Sequence, residues 1–261
     1  MFPKILYEDN ELLVIDKPAG MVVNRAESVK GETVQDWVER YLKIPSTKRE
    51  ILNKSKIKNS IDQKGLGFRD LDLEFSSRAG VVHRIDKETS GVLLIAKTPE
   101  AFENLQAQFK ERKVEKTYVA LVHGRVFPVE GEIKGEVGRL PWNRERFGVL
   151  AGGREALTRY RVISNFKFLI SNEELSLLEL HPKTGRTHQV RVHLKSIGHP
   201  IVGDEFYAGR KTSRVDRKWC PRLFLHAKMI SFNQPASGDR MTIESQLPEE
   251  LSNVLGGLSR S

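Results

Sequence analysis

The feature that most constrains the fold is a polar segment at residues 82–91 that runs directly into five apolar residues at 92–96. A short, continuous run of branched apolar residues after a polar stretch predicts a buried strand. The polar stretch is therefore expected to be a loop held by a rigid element, where binding and catalytic groups are often placed. Taken alone, its carboxylate Asp86, between Arg84 and Lys87, is equally consistent with a solvent-exposed salt bridge on an ordinary loop.

A second segment of interest covers residues 116–124 and contains Tyr118. Its apolar and polar residues alternate, which predicts a strand that ends at the turn of Gly124. On such a strand Tyr118 is either a core residue or a flat ring that can stack on a nucleobase. The pattern of this segment does not separate the two possibilities.

A third segment, residues 184–193, predicts a helix that ends before Gly198. Three apolar residues in and after it have helical spacing and define its packing face: Val190, Leu194 and Ile197. His188 and Arg191 are three positions apart, so we expect them to share a face away from that apolar stripe. The helix is thus predicted to pack on one side and to present cations on the other.

The first two segments resemble sequence blocks of the RluA-type pseudouridine synthases. The His-Arg-Ile-Asp tetrad at 83–86, with Thr-Ser-Gly at 89–91, is similar to the catalytic loop of that family, and this implies that Asp86 is the nucleophile. The Lys-Thr-Tyr-Val-Ala run at 116–120 matches the block that carries the active-site tyrosine, so the resemblance assigns that role to Tyr118.

The third segment is similar to the block in which the arginine of a His-Gln-x-Arg motif pairs with the catalytic aspartate. Carried over, this arginine is Arg191, although Arg186 is a competing partner from the residues alone. A cation beside Asp86 would favour its charged form and fix its orientation. We also expect Arg186 and His188 to contact RNA.

The resemblance covers most of the chain. Residues 7–20 are similar to the opening hairpin of the family, and residues 198–204 and 225–227 are similar to its closing blocks. Two departures are present. Ile85 stands where leucine is commoner, and residues 44–80 are longer and more basic than a minimal member needs, which leaves the choice of RNA open.

The order of the predicted elements indicates an α+β fold, since helices are scattered between strand pairs and do not alternate regularly with them. A hairpin covers residues 5–15, helices follow the N-cap residues Thr33 and Thr98, strands dominate 115–182, and the stretch 44–78 lacks periodicity. The resemblance implies the pseudouridine synthase catalytic fold, a mainly antiparallel or mixed sheet with flanking helices. We expect one catalytic domain over 1–261, with a basic loop or insertion at about 44–80 and no separate N-terminal RNA-binding domain.

Charge favours a polyanionic partner. The 261 residues carry a formal net charge of +9, and the isoelectric point is about 9.6. Residues 44–70 hold seven Lys or Arg against three acids, and from this cluster we select as RNA contacts Lys54, Lys56 and Lys58. A second basic cluster follows the third segment: Arg210, Lys211, Arg214, Arg217, Lys218 and Arg222. Either cluster could instead be a solvated loop.

RNA is therefore the expected partner, either ribosomal or transfer RNA, with no membrane and no obligatory protein partner. No apolar stretch approaches the roughly 20 residues of a spanning helix. The single cysteine, Cys220, has no disulfide partner, which is typical of a reducing compartment, and we expect the protein in the cytoplasm.

No cofactor is expected. The reaction that the resemblance implies moves the ribose bond from N1 to C5 of a uracil without net gain or loss, and no nucleotide-binding glycine loop or acidic metal cluster is present. His188 and His193 are five residues apart, not the four of a helical zinc pair, so no metal is predicted. His199 and His226 are interpreted as hydrogen-bonded structural groups.

The sequence therefore predicts an RNA pseudouridine synthase that isomerises specific uridines through an aspartate nucleophile. Such an enzyme must extrude its target from the stack, and Arg84 or Ile85 could occupy the vacated space. One alternative is a catalytically silent RNA-binding or ribosome-assembly protein on the same fold. Another is a metal-assisted nuclease, which would need ligands that the sequence does not offer.

Overall fold

A computed structural model describes residues 2–27, 29–44, 70–168 and 173–260. These residues form eleven strands of one sheet: β1 (Lys4–Glu8), β2 (Leu12–Lys17), β3 (Ser90–Ala96), β4 (Glu115–His123), β5 (Glu130–Leu140), β6 (Asn143–Val149), β7 (Arg154–Phe168), β8 (Glu173–Pro182), β9 (Leu225–Asn233), β10 (Arg240–Glu244) and β11 (Ser259–Arg260). The helices of the described residues are α1 (Val34–Leu42), α2 (Asp70–Arg78), α3 (Pro99–Lys110), α4 (Gln189–Ser196), α5 (Arg210–Asp216) and α6 (Glu249–Gly256).

The sheet is mainly antiparallel. Its strands follow the order β1-β2-β3-β9-β4-β8-β7-β5-β6, while β10 pairs with β9 and β11 pairs with β7. Within the described ranges the parallel pairing is that of β3 with β9, through Ser90 opposite His226 and Gly91 opposite Ala227. The predicted α+β class, with a mainly antiparallel sheet and flanking helices, is confirmed. The absence of a separate N-terminal RNA-binding domain stays a prediction.

The strand predicted after the polar loop is β3, and all seven of its residues are buried. Its even-numbered side chains, such as Leu94, pack with Phe102 of α3. Its odd-numbered side chains, such as Leu93, pack on the other face with Val34 of α1. Because both faces of the strand are covered, its sequence is continuously apolar and does not alternate.

Helices α1 and α3 begin where the sequence predicts. The Thr33 hydroxyl accepts a hydrogen bond from the Asp36 backbone N–H, and the Asp36 carboxylate accepts one from the Thr33 N–H, which completes a capping box. The Thr98 hydroxyl accepts a hydrogen bond from the Ala101 N–H, and Pro99 occupies the first turn. The hairpin of β1 and β2 and the strands within 115–182 are also as predicted.

The interpretation of residues 44–80 as a loop is wrong at its C-terminal end, where residues 70–78 form α2. The Phe75 ring of this helix is buried and meets the Phe102 ring edge-on, with the centroids 6.0 Å apart. Tertiary packing therefore stabilises a helix whose own sequence has weak periodicity. The predicted contacts Lys54, Lys56 and Lys58 lie outside the described residues.

The predicted orientation of the third segment is also wrong. Helix α4 begins at Gln189, and His188 precedes it with a left-handed backbone, so His188 is not on a helical face. Arg191 is only 5% exposed and points into the protein, whereas Ile197, assigned to the packing stripe, is 38% exposed. The helix thus buries its arginine, because a buried carboxylate lies beneath it, as described below.

Among the described helices, none is long and apolar enough to cross a membrane.

Candidate active site

The loop that carries Asp86 is fixed at both ends. Before it, Val81 forms an isolated bridge with Ile95 of β3, and after it β3 itself begins. At Gly91 the backbone approaches Ala227 of β9 so closely that a Cβ would collide with the Ala227 carbonyl. Gly91 also has a φ of +114°, which side-chain-bearing residues rarely adopt. The predicted loop is therefore held by a rigid strand.

Lys17 holds the middle of this loop. Its side chain is fully buried, and its Nζ donates to the carbonyl oxygens of Pro18 (2.8 Å), Met21 (2.9 Å) and Lys87 (3.1 Å). Burial lowers the pKa of Lys17 to about 7, and the charge of Asp86 opposes that shift. The Lys87 carbonyl also accepts a hydrogen bond from the Gly20 N–H. Two donors therefore hold the backbone at the residue after Asp86.

Arg222 holds the end of the loop. Its Nη2 donates to the Ser90 hydroxyl (2.8 Å) and its Nη1 donates to the Glu88 carbonyl (3.4 Å). Ser90 in turn contacts His226 Nδ1 at 2.9 Å, and His226 Nε2 lies 3.2 Å from the Ser245 carbonyl. Arg222, which the sequence only counts in a basic cluster, thus binds backbone and side-chain groups of the protein itself.

Arg191 is the cation that lies beside Asp86. Its Nη1 is 3.3 Å from Asp86 Oδ2, while Arg186 donates to the Glu155 carbonyl. The Asp86 side chain is 19% exposed and the Arg191 side chain 5%, so the pair sits at the floor of an open site. The geometry therefore agrees with the arginine that the family resemblance selects.

Asp204 orients Arg191. It is fully buried, and it accepts hydrogen bonds from Arg191 Nε at 2.8 Å and Nη2 at 2.9 Å. Oδ1 of Asp204 also accepts the N–H groups of Phe206 and Tyr207. Burial opposes the charge of Arg191, but the bonds to Asp204 outweigh it and raise the arginine pKa. The guanidinium consequently stays charged, with one nitrogen left for Asp86.

Aromatic rings cover the same arginine. Its guanidinium carbon lies 5.0 Å from the Tyr207 ring centre and 5.5 Å from that of Phe206. The Tyr207 hydroxyl is 2.8 Å from His188 Nδ1 and accepts a hydrogen bond from the Phe147 N–H. Burial, assisted by the positive charge of Arg191, lowers the pKa of His188. Burial thus favours the neutral form of His188, which belongs to the wall around Arg191.

Tyr118 faces Asp86 from β4, at a register irregularity between Thr117 and Tyr118. Its side chain is partly buried, and its hydroxyl has no hydrogen-bond partner in the part of the chain that the structure describes. Burial and the negative charge of Asp86 raise the pKa of Tyr118, which keeps the phenol protonated. The site thus presents a neutral ring with a free hydroxyl beside a carboxylate.

A cavity of about 90 Å³ opens above the pair of Asp86 and Arg191. Seven predicted residues contribute to its wall: Arg84, Ile85, Asp86, Tyr118, Arg186, His188 and Arg191. Thr89 also lines it, and its buried hydroxyl makes no hydrogen bond to any described residue. An unpaired polar group in a pocket is costly unless a bound molecule satisfies it, so Thr89 is a candidate substrate contact.

A second buried network supports the turn that carries Asp204. His123 Nε2 lies 3.1 Å from Asp216 Oδ2, and His123 Nδ1 lies 2.6 Å from Glu173. The same Asp216 oxygen accepts the N–H of Gly203, the residue before Asp204. Burial opposes the charge of His123, but the two carboxylates outweigh it and raise the histidine pKa.

Within the described ranges, no group of three or more His, Cys, Asp or Glu side chains is placed to hold a metal ion. His193 Nδ1 contacts the buried Thr158 hydroxyl at 3.0 Å, and His199 Nδ1 contacts the His123 carbonyl at 2.8 Å. His226 is bonded to Ser90 and Ser245, as described above. The prediction that His199 and His226 are hydrogen-bonded structural groups is confirmed.

A sequence model of the RNA pseudouridylate synthase family matches residues 11–196. The chain belongs to this family. Across 97% of its length it is 36% identical to an uncharacterized RNA pseudouridine synthase of Aquifex aeolicus, of which it covers 72%. It is 38% identical to ribosomal large subunit pseudouridine synthase D of Nitrosomonas europaea, over 97% of this chain and 64% of that protein. It is 36% identical to ribosomal large subunit pseudouridine synthase D of Pseudomonas aeruginosa, over 95% of this chain and 69% of that protein.

The fold agrees with solved structures of this family. Human RNA pseudouridylate synthase domain containing 1 superposes with a TM-score of 0.70 at 24% identity, covering 100% of this chain and 89% of that one. Membership makes the chain an RNA pseudouridine synthase, an isomerase, and it confirms the RluA-type resemblance of the three motif blocks.

Sequence reasoning missed three groups that support the candidate site. Asp204 was noted only as part of a closing block, yet an aspartate after a glycine, thirteen residues beyond Arg191, was a signal for a buried partner. Lys17 stood in the opening hairpin, where a lysine at the end of a strand that begins with four apolar residues was the signal. Tyr207 gave no signal in the sequence, because only the turn of Asp204 brings its ring over Arg191.

Proposed function

We propose that this RNA pseudouridine synthase isomerises specific uridines of large-subunit ribosomal RNA, with Asp86 as nucleophile and with the target base turned out of its stack. The observation that carries the proposal is the contact of Asp86 with the buried, doubly anchored Arg191, facing the free hydroxyl of Tyr118 in one cavity. The names of the relatives support the choice of ribosomal RNA, and transfer RNA is the alternative substrate.

The proposed reaction breaks the bond from ribose C1′ to uracil N1 and forms the bond from C1′ to C5. The proton of C5 leaves and N1 gains a proton, so no electrons are exchanged with any other molecule. Asp86 attacks ribose C1′ and displaces uracil N1, and the bond from Asp86 to C1′ breaks when C5 of the turned base bonds to C1′. Arg191 holds the Asp86 carboxylate in its orientation. Because Asp204 fixes Arg191, and Lys17 and Arg222 fix the loop, little reorganisation is needed at the moment of reaction.

Tyr118 supplies its ring and its neutral hydroxyl. Since its pKa is raised, the phenol does not act as a free phenolate base. Its proposed role is to stack on the uracil and to hydrogen-bond a group at or near C5. The hydroxyl oxygen takes up the C5 proton as the phenol passes its own proton to solvent water, so the phenol is neutral before and after the step.

Arg84 is the group that we propose to fill the space of the extruded base. It is exposed on the catalytic loop and has no ion pair among the described residues, whereas its neighbour Ile85 is only 5% exposed and packs in the core. A guanidinium plane stacks on nucleobases and is free to move here. Ile85 then serves to seat the loop, while Arg186 and His188 contact the RNA around the cavity.

The test is Asp86→Asn, with tritium release from C5-labelled uridine in bulk RNA measured beside RNA binding. Release should be abolished and binding largely retained, because phosphate contacts elsewhere supply most of the affinity. Appreciable turnover by Asp86→Ala would contradict the nucleophile assignment. A wild-type protein that binds RNA but forms no pseudouridine in any RNA would be the silent binding protein.

Mapping pseudouridines in total RNA from cells with and without the gene tests the substrate. We expect sites to disappear from large-subunit ribosomal RNA; loss confined to transfer RNA would refute that choice. The proposal also places the protein in the cytoplasm, beside its RNA, in agreement with the single buried cysteine Cys220.

The basic stretch before α2 is proposed to help select the RNA. Three lysines of this stretch are replaced together: Lys54, Lys56 and Lys58. On a single strand, the slope of log K against log salt concentration should become shallower by up to ~0.7 for each lost phosphate contact. If the slope is unchanged, the stretch is a solvated insertion. A collapse of the saturated rate without loss of binding would instead place it in the active site.

A further inference from the structure

A second cavity of about 440 Å³ opens beside the catalytic one, and we call it the basic groove. Its walls are the catalytic loop, the end of α3 with the turn after it, the start of β4 and the loop after β8. Twelve residues line it, and none of them is acidic. Six are cations: Arg84, Lys110, Arg112, Lys116, Lys183 and Arg186.

The protein leaves these cations uncompensated. Within the described ranges none of the six forms an ion pair, although Arg186 donates one hydrogen bond to a backbone carbonyl. The two carboxylates next to the groove in sequence are bound to other cations, Glu111 to Lys113 and Glu115 to Arg240. Unpaired like charges repel each other, so a cluster of this kind is completed by a bound polyanion.

Lys116 shows this most directly. It lines both the catalytic cavity and the basic groove, and its Nζ has no hydrogen-bond or ion-pair partner in the described part of the chain. Burial lowers the pKa of Lys116 to about 8. The Phe109 ring lies 6.0 Å from Nζ and provides no counter-charge. An anion bound at this junction would stabilise the charged form of Lys116, which burial disfavours.

The groove is continuous with the site of chemistry. Five residues line both cavities: Arg84, Lys116, Thr184, Gly185 and Arg186. The groove therefore offers a path from the space over Asp86, past Lys116, toward Lys110 and Lys183. The Phe109 and His83 rings, stacked 4.9 Å apart, form part of the groove wall.

We propose that the basic groove is the track for the RNA strand that continues from the target uridine, and that Lys110 and Lys183 bind phosphates of neighbouring nucleotides. This inference rests on the proposed function, since it takes the uridine over Asp86 as its starting point. An RNA strand fits better than an acidic peptide because its charges repeat regularly along a backbone that the catalytic cavity already anchors.

The test compares two double variants of equal charge. Lys110→Gln with Lys183→Gln changes the groove, whereas Lys4→Gln with Lys167→Gln removes two exposed lysines from β1 and β7 that lie outside both cavities. Binding of a labelled oligouridylate of about 12 nucleotides is followed by fluorescence anisotropy at about 50 and about 200 mM salt, a range in which lost phosphate contacts are measurable. Thermal unfolding of all three proteins verifies that each is folded.

Two lost contacts on a single strand reduce the salt slope by ~1.4, so over this fourfold salt range the wild-type protein should lose roughly sevenfold more affinity than the groove variant. The control variant should behave as the wild type. Equal slope changes in both variants would overturn the proposal, because binding would then follow net charge alone. Displacement of the oligouridylate by polyglutamate as readily as by unlabelled RNA would overturn the choice of RNA.

The two proposals fail separately. The anisotropy measurement needs no turnover, so a wild-type protein without isomerase activity would refute the proposed function and leave the groove result standing. Conversely, an active enzyme whose groove variant keeps the wild-type slope would refute the groove alone.

Discussion

Replacement of Asp204 by asparagine tests how the site keeps Arg191 in place. Oδ1 of Asp204 accepts three hydrogen bonds, from Arg191 Nη2 and from the N–H groups of Phe206 and Tyr207, while Oδ2 accepts Arg191 Nε at 2.8 Å. An asparagine can keep the first three with its oxygen. Its NH₂ group then faces Arg191 Nε, so a donor opposes a donor and the buried guanidinium loses its main counter-charge.

Breaking a buried ion pair by removing one partner costs ~3–5 kcal/mol. Asp86 remains 3.3 Å from Arg191 Nη1, so we expect the lower end, about 3 kcal/mol of unfolding free energy. For a chain of this size that corresponds to a melting temperature lowered by roughly 6–12 °C. Turnover should fall by at least about tenfold as well, because a guanidinium no longer anchored at Nε orients Asp86 less precisely.

The matched control is Glu132→Gln. Glu132 pairs with Arg159 at 2.7 Å and with Lys134 at 2.9 Å, but the side chains of both cations are more than half exposed, and such surface pairs contribute about 0–1 kcal/mol. Both variants are compared by urea denaturation and by tritium release. If Asp204→Asn is destabilised no more than Glu132→Gln and keeps full activity, the assigned role of Asp204 is refuted.

Three further predictions concern the site and its support. Arg191→Met should strongly reduce turnover at saturating RNA, whereas Arg186→Met should act mainly on binding; tritium release and anisotropy giving the opposite pattern would mean that the two roles are exchanged. Thr89→Val should lower kcat/KM by roughly two- to twelvefold without lowering the melting temperature, since its hydroxyl has no partner among the described residues, and Thr89→Ser should retain activity; a destabilised Val variant would indicate a structural role. His123, whose pKa is raised through its carboxylate partners, contributes stability that is fully present below its ordinary value of 6.5 and is lost as pH rises through the folded pKa. Urea denaturation should therefore find His123→Gln more destabilised at about pH 6 than at about pH 8.5, and an equal loss at both would contradict the protonated network.

The amino-acid sequence by itself determined the local elements and the chemical groups of the site. Thr33 and Thr98 mark helix starts through hydrogen bonds within one turn. The apolar run of β3 predicts a buried strand from its own residues, before the elements that cover it are known. Asp86, Tyr118 and Arg191 are selected by the resemblance of three contiguous motifs to blocks of the family. From the residues alone, Tyr118 was equally a core residue and Arg186 competed with Arg191. Such signals are local, so they can be read along the chain.

Tertiary structure alone decided which groups meet and which are buried. Helical phase placed Arg191 outward, yet it is 5% exposed, because Asp204 from a separate turn supplies a buried counter-charge that local periodicity cannot register. The α2 helix exists because Phe75 meets Phe102, 27 positions along the chain. The basic groove likewise gathers cations from three separate segments, and the repulsion between them is visible only once the catalytic loop, the segment from α3 to β4 and the loop after β8 are brought together.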